Sequence, residues 1–385
     1  MLTAIDIRAF KAFGDPGTHV PLAPFTLVVG ANGAGKTSIL QAIEMVGMLS
    51  RGTLTEALSQ RGWEYGDLVH LKSNTAVIGF RTHVLLEGGD ELVWSLELGN
   101  RRRAGIASER IETTSGTVLL ERTGRTMARR DENTGEMVDR VEQTLVSSWL
   151  YAFAEEDRER FPTLTRLAQW ARGIRPYVVL DPLVLREPGR SHPDGLGIHG
   201  EGLPALLRAL SPAQRDSAIQ RARKHFSSLR DVRAIRSGES GATRLEVAEV
   251  WGDAELSLSA RQVSDGLLRL LALSALHELE EPPTILMFDE IENGVHPYLL
   301  GAIIEMLRSL ADAGIQVIAT THSPVAASFV GDAAEVLIVG REPDGQLRVG
   351  QMGASAKWAK LADAFAPGEA WYALGEREFL NAINK

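Results

Sequence analysis

The sequence contains no cysteine. Disulfide cross-links and thiolate metal sites are therefore excluded, and the composition suits the cytoplasm. No stretch approaches the roughly 20 apolar residues that a helix needs to cross a bilayer. The opening segment, Met1–Phe13, lacks the basic stretch and long apolar run of a secretory signal, so no membrane partner is expected. Excess positive charge is missing too. The formal net charge is −9, which rules out a uniformly basic coat and leaves room only for a local basic groove. Internal repeats, low-complexity segments and sustained heptads are also absent, so neither a solenoid nor a long coiled-coil arm is expected.

What is present is ordinary globular material. The 385 residues are 44% apolar and 24% charged, enough for one large domain or two to three smaller ones with a real core. Residues 2–10 and 25–29 read as strands, the second being an apolar run that ends at a glycine. A helix is expected from Lys36 to about Leu49, with Ile39, Leu40, Ile43 and Val46 at helical spacing. Residues 50–140 read as a β-rich lobe, with strands at 76–86, 91–98 and 117–121. Residues 140–255 are expected to be a mostly helical insertion, interrupted near 177–185 and by a loop over 187–202.

Residues 256–345 alternate more regularly. A helix reaches Leu279, a strand covers 284–288 and a helix 297–313. Then come a strand over 315–320, a short helix over 324–330 and a strand over 335–339. A helical tail is expected over 355–385. This alternation argues for a parallel sheet with helices on its faces. The sheet needs the N-terminal strands as well, so the whole of 1–385 reads as one α/β nucleotide-binding domain, a P-loop NTPase with an antiparallel β lobe and an inserted helical region.

The strongest motif is Gly30-Ala31-Asn32-Gly33-Ala34-Gly35-Lys36-Thr37, followed by Ser38. It matches G-x-x-x-x-G-K-[ST] between an apolar strand and a helix. Glycines let backbone N–H groups turn inward around phosphates, and the helix N-terminus adds its positive dipole end. Lys36 neutralises β- and γ-phosphates in such a loop, and Thr37 is a Mg²⁺ ligand. Asp289 and Glu290 end the apolar run Thr284–Phe288, at the strand end where α/β sheets place ligands. On their own they could be a charged strand end. Beside a P-loop, Asp289 reads as the Mg²⁺ holder and Glu290 as the group that orients the attacking water. Thr320-Thr321-His322-Ser323-Pro324 follows the next strand, placing His322 where an imidazole meets the γ-phosphate. Ser264-Asp265-Gly266 opens an apolar helix. Its spacing alone describes a well-capped core helix, while a capped N-terminus with a hydroxyl and a glycine is also an anion site.

Taken in order, the P-loop, the Ser-Asp-Gly helix, the Phe-Asp-Glu strand, the run Glu292–Pro297 and the Thr-His-Ser-Pro segment resemble ABC-class ATPase heads of the SMC and RecF kind. The set is most similar to the ATPase domains of OLD-family nucleases and related phage-defence ATPases. The resemblance covers about the first 50 residues and about 258–340; the middle matches only in layout. It implies a homodimer that sandwiches ATP and Mg²⁺. Ser264 and Gly266 then act in trans as the signature motif, and Asn293 lies on a loop that crosses the interface. It also implies that Ile7–Phe13 packs near the adenine, with Arg8, Lys11 and Phe13 as weak candidates there. No glutamine is assigned to Mg²⁺ sensing, and Gln143 is not taken for it. Only about 60 residues follow His322, too few for a Toprim nuclease, so a separate effector protein such as a nuclease is the expected partner.

Two groups of arginines, Arg101–Arg103 and Arg122, Arg125, Arg129 and Arg130, together with Arg221, Arg223 and Lys224, are candidates for a DNA groove or for solvated faces. In the tail, Trp358, Phe365, Trp371, Tyr372 and Phe379 are expected to pack on the core or dock a partner. A transporter subunit is disfavoured, because more than 200 residues separate the P-loop from Ser264. The alternative to effector coupling is a RecF-like DNA-binding or repair ATPase that acts without a nuclease.

Overall fold

The computed structural model describes residues 1–383 apart from 74, 76, 100–104, 124–125, 143–146, 177, 193–194, 237–240 and 344. Among the described residues, three sheets organise the fold. The central one has five strands in the order Ile285–Phe288, Gln316–Thr321, Phe25–Val29, Val336–Arg341 and Leu347–Gln351. The first four run parallel and the last is antiparallel. All five residues of Phe25–Val29, and all four of Ile285–Phe288, are buried. Strands covered on both faces are apolar nearly throughout, and these are, the exception being Thr26, whose buried hydroxyl donates to Ala23 O at 3.3 Å.

The period of two along those strands divides the interior in two. Val28, Ile285, Met287 and Ile318 face a core shared with the helix Lys36–Arg51 and the β lobe. Leu27, Val29, Leu286, Phe288, Val317 and Ala319 face a second core with the helices Asp265–Leu276 and Pro297–Asp312. One sheet thus fixes the P-loop helix on one side and the Ser264 helix on the other.

The β lobe is an eight-stranded antiparallel sheet that begins with the N-terminal strands. Its order is Thr18–Pro21, Leu2–Arg8, Ile78–Leu85, Glu91–Leu98, Ile106–Thr113, Val118–Thr123, Thr126–Arg130 and Met137–Glu142. Four of these strands, beginning at Thr18, Ile106, Thr126 and Met137, were not expected from pattern. The lobe region also opens with two short helices, Leu54–Arg61 and Tyr65–Leu68.

The expectation of a mostly helical stretch over 140–255 fails at its end. Helices Pro162–Arg172, Leu203–Ala209 and Pro212–Arg223 are present, but residues from Leu229 form a three-stranded antiparallel sheet, Leu229–Arg236, Thr243–Trp251 and Ala254–Ser259. The physical reason is half-burial: Leu229, Val232, Leu245 and Val247 face the second core while charged residues alternate outward. The helix after Ser264 stops at Leu276 rather than Leu279.

In the tail, Trp371 and Phe379 are buried in the second core, within the kinked helix Pro367–Ile383. Phe365 and Tyr372 are exposed. Among the described residues, no helix is long and apolar enough to cross a membrane.

Candidate nucleotide site

The P-loop joins the buried strand Phe25–Val29 to the helix Lys36–Arg51. Gly35 caps that helix with φ 104°, in the left-handed region. A side chain there would be strained and would also collide with Leu347 Cδ1 at 2.2 Å, so only glycine serves. Lys36 is buried, and its Nζ donates to the carbonyl oxygens of Gly30 at 2.8 Å and Ala31 at 3.1 Å. Burial lowers its pKa, while Glu292, Asp289 and Glu290, in falling order, act to raise it. The lysine is therefore a desolvated cation in the field of four carboxylates, the fourth being Glu376 of the tail helix.

Thr37 donates from Oγ1 to Asp289 Oδ2 at 2.8 Å, across 252 residues of sequence. A hydroxyl and a carboxylate oxygen side by side form the all-oxygen donor set that suits Mg²⁺. Asp289 is itself buried, and its backbone N–H donates to Val178 O at 3.0 Å. Its other oxygen accepts from the Thr320 hydroxyl. That same hydroxyl accepts from the Glu290 N–H at 2.9 Å, and Thr320 O accepts from Ile291 N–H at 3.1 Å. Thr320, on the neighbouring parallel strand, therefore holds both acidic residues in place. Glu290 has φ 50°, an uncommon conformation for a residue other than glycine. It is exposed at the end of its strand.

His322 stands beside this pair. Its Nδ1 is 2.7 Å from Glu292 Oε1, and its backbone N–H donates to the same oxygen. With Nδ1 committed to the carboxylate, Nε2 is the nitrogen available to a ligand. Glu292 is largely buried, and its Oε2 has no hydrogen-bond partner. Sequence reasoning assigned no role to Glu292 or to Thr320. Their positions within the two motifs were visible, but the bonds they make depend on register between strands. Replacing Glu292 by alanine is expected to lower kcat about 10–100-fold, the usual scale for a group that orients a reacting one. Affinity for ATP should stay unchanged. Stability should change little, since half the carboxylate is unpartnered; paired turnover, equilibrium binding and melting measurements check all three.

Ser264 is exposed and caps its own helix, its hydroxyl accepting from Leu267 N–H at 3.3 Å. Asp265 pairs with Arg186. Gly266 is buried, and a Cβ there would strike Leu299 Cδ1 at 2.2 Å, so the helix start packs directly on the neighbouring helix. This turn is tied to the acidic loop through Arg269, a residue that sequence reasoning did not single out. Its guanidinium donates to Ile291 O at 3.4 Å and to Asn293 O. Arg269 is buried, and that burial pulls its pKa down to about 10. Asn293 is exposed at the tip of that loop.

Other expected candidates are placed elsewhere. Phe13 is fully buried in the core and Arg8 pairs with Glu97 at 2.9 Å. Lys11 lies over the Trp63 ring at 3.9 Å. Stacking on an adenine is thus denied to Phe13, and the contact of this segment with the P-loop is made by Ala12 against Gly35. Among the arginines, Arg122 is buried and donates to Ser147 O, beside the buried Glu109. Arg129 pairs with Asp157 and lies over the Phe161 ring. Arg221 pairs with Glu278, and Arg223 donates to Leu229 O. These four side chains are engaged within the fold. Arg101–Arg103, Arg125 and Gln143 lie outside the described residues.

Comparisons with known proteins give the family and the fold. A family described as "AAA domain, putative AbiEii toxin, Type IV TA system" matches residues 25–328, and the chain belongs to that family. It is an ATP-hydrolysing enzyme. Its fold is that of SMC heads. An SMC head bound to the C-winged helix domain of ScpA superposes with TM-score 0.53 at 17% identity, covering 91% of this chain and 96% of that one. A Pyrococcus furiosus Smc head with an extended coiled coil, bound to the C-terminal domain of ScpA, gives 0.51 at 14% identity over 91% and 95%. The Thermotoga maritima SMC head gives 0.51 at 13% identity over 91% and 98%. No curated protein matches the chain.

Proposed function

We propose that two copies of this ATPase close head to tail around ATP, and that the closing and opening drive a separate effector, a nuclease of an anti-phage system. The observation that carries the reading is the division of the site. Lys36, Thr37, Asp289, Glu290 and His322 are linked around one P-loop, directly or through Thr320 and Glu292. Ser264, by contrast, is exposed on another helix with its hydroxyl spent only on a cap. An exposed, capped helix N-terminus is an anion site without a ligand of its own chain, and a second copy supplies one.

In this reading Lys36 and the backbone of Asn32, Gly33, Ala34, Gly35, Thr37 and Ser38 hold the phosphates. Thr37 and Asp289 hold Mg²⁺, which when bound neutralises charge on the β- and γ-phosphates. Glu290 orients and polarises the attacking water, and His322, held by Glu292, donates toward the γ-phosphate. Ser264 and Gly266 complete the partner's site, and Asn293 crosses the interface. Arg269 then makes the trans element and the cis loop move together, because it grips both.

Lys36→Ala is expected to weaken ATP binding about 10–100-fold, the worth of a charge-assisted hydrogen bond. Calorimetric titration checks it. The dimer itself is tested by turnover per subunit against protein concentration. A rate that rises with concentration and saturates supports the sandwich; a rate independent of concentration down to the lowest measurable level overturns it.

A second reading, a RecF-like ATPase acting on DNA, draws on one observation. Arg208 and Arg236, with Arg190, are among the described residues that line one open pocket beside the three-stranded sheet. Stimulation of turnover by duplex DNA, lost in Arg208→Ala with Arg236→Ala, would favour it over effector coupling.

A further inference from the structure

The solvent face of the β lobe carries a group of side chains that nucleotide chemistry does not use. Asp6, His19 and His83 come from three adjacent strands. Asp6 lies directly opposite His19 on the edge strand Thr18–Pro21. On its other side Ala4 is opposite His83, which places His83 diagonally across from Asp6. Ile5 and Ile7 point into the core, so Asp6 is turned to the open face by strand alternation.

The geometry is convergent. His19 Nδ1 is 2.6 Å from Asp6 Oδ1, and His83 Nε2 is 2.9 Å from Asp6 Oδ2. One donor atom from each residue lies within 4.8 Å of the other two. Ligand atoms on a tetrahedral Zn²⁺ stand about 3.3 Å apart, from bond lengths of about 2.0–2.1 Å. To hold an ion, the two bonded pairs would lengthen by about 0.4–0.7 Å, and the remaining separations, within 4.8 Å, would settle toward the same spacing, shifts within reach of side-chain rotation. Nearby cations are already matched: Arg8 pairs with Glu97 at 2.9 Å, and Arg81, opposite Asp6 in register, faces Glu112 at 4.0 Å. An open pocket lined by Asp6 and His19, together with Arg8, Arg81 and Glu97, gives water access to the Asp6–His19 side of the cluster.

We propose that Asp6, His19 and His83 form a transition-metal site of the Zn²⁺ class, with two imidazoles and one carboxylate from the protein. Two nitrogen ligands select Zn²⁺, Co²⁺ or Ni²⁺ over the Mg²⁺ of the P-loop, which takes oxygen donors. The site is independent of the ATP-sandwich reading. Its structural effect is a clasp. The ion ties the edge strand Thr18–Pro21 to the body of the sheet. The loop before that strand contains Ala12, which packs against Gly35 of the P-loop. The edge strand is also held by its pairing with Leu2–Arg8, by Val20 buried in the core, and by Thr18 donating to Leu347 O at 3.3 Å.

The test uses the full chain, free of any histidine tag, stripped with a chelator and kept in buffer without Mg²⁺ or ATP. Zn²⁺ is titrated in competition with a chromogenic chelator, and Co²⁺ is added separately to read its visible ligand-field spectrum. The expected result is one equivalent bound with micromolar or tighter affinity, a four-coordinate Co²⁺ spectrum, and a melting temperature that rises with Zn²⁺. His19→Ala or His83→Ala should weaken binding at least about 10-fold. The double variant should lose both the stoichiometric equivalent and the thermal shift. All three residues are partly exposed, and metal-free melting of each variant confirms that it folds. Thr37→Ala should keep the equivalent, which separates this site from the P-loop. Absence of any micromolar equivalent, or an equivalent that survives in the double variant, overturns the proposal and leaves Asp6 as a carboxylate bonded to two imidazoles.

Discussion

Glu290→Gln is expected to reduce ATP turnover about 10²–10⁴-fold, the contribution of a positioned general base, while ATP binding persists. The substitution is nearly isosteric, and the structure shows why it should be clean. Thr320 holds position 290 through the backbone N–H, not through the side chain, so the bond survives the change. The φ of 50° is a backbone property that glutamine tolerates as glutamate does. Lys36 and Thr37, which hold phosphate and metal in the proposed mechanism, make their hydrogen bonds to Gly30, Ala31 and Asp289 and none to Glu290. What is lost is the charge that polarises water. The ATP-bound dimer should then accumulate, visible as a nucleotide-dependent doubling of mass in light scattering. Turnover equal to wild type would move the base elsewhere. Glu292 is poorly placed for it, since one oxygen is already engaged by His322.

Ser264→Arg should abolish turnover without abolishing ATP binding, because in the sandwich its side chain blocks the partner's γ-phosphate and leaves its own P-loop untouched. The exposed position accepts the larger residue, and the cap it forfeits costs about 1 kcal/mol of helix stability. The decisive version mixes two inactive proteins. A Lys36→Ala chain has a defective P-loop, with weakened ATP binding, but carries an intact Ser264; a Ser264→Arg chain has the reverse defect. In a mixed dimer one of the two composite sites is intact. Random pairing at equal concentrations should restore about one quarter of wild-type turnover, since half the dimers are mixed and each has one working site. If both residues served the same chain's nucleotide, the mixture would stay as dead as its parts. That outcome would overturn the trans assignment of Ser264 and Gly266 while leaving Glu290 and His322 in place.

Much of this molecule was legible without coordinates. The strand before the P-loop, the helix after it, and the strand ending at Asp289 are written in short apolar runs and helical spacing. Both are local signals, and the hydrogen bonds that realise them are local or between strands covered on both faces. The second half of the supposed helical insertion was not legible. In Leu229–Arg236 and Thr243–Trp251 the apolar residues are sparse and alternate with charge, so the strands become stable only once one face is covered by the second core. The arginines misled for a related reason. A run of positive charge reads as a solvated or nucleic-acid-binding face, yet Arg122 turns inward to Ser147 and the buried Glu109.

By itself the sequence determined that this chain carries a phosphate-binding loop, an acidic pair and a histidine in the order of an ATPase head. Those features are contiguous residues whose chemistry follows from type and spacing. The tertiary structure alone decided how they are coupled. Thr320 meets Asp289 and the Glu290 N–H across neighbouring strands, Glu292 meets His322, Arg269 grips the loop carrying Asn293, and Asp6 gathers two histidines. Each of these contacts joins residues 13 to 77 positions apart. Hydrogen bonds act over about 3 Å, so such pairs exist only after strand register and helix packing have fixed which side chains meet.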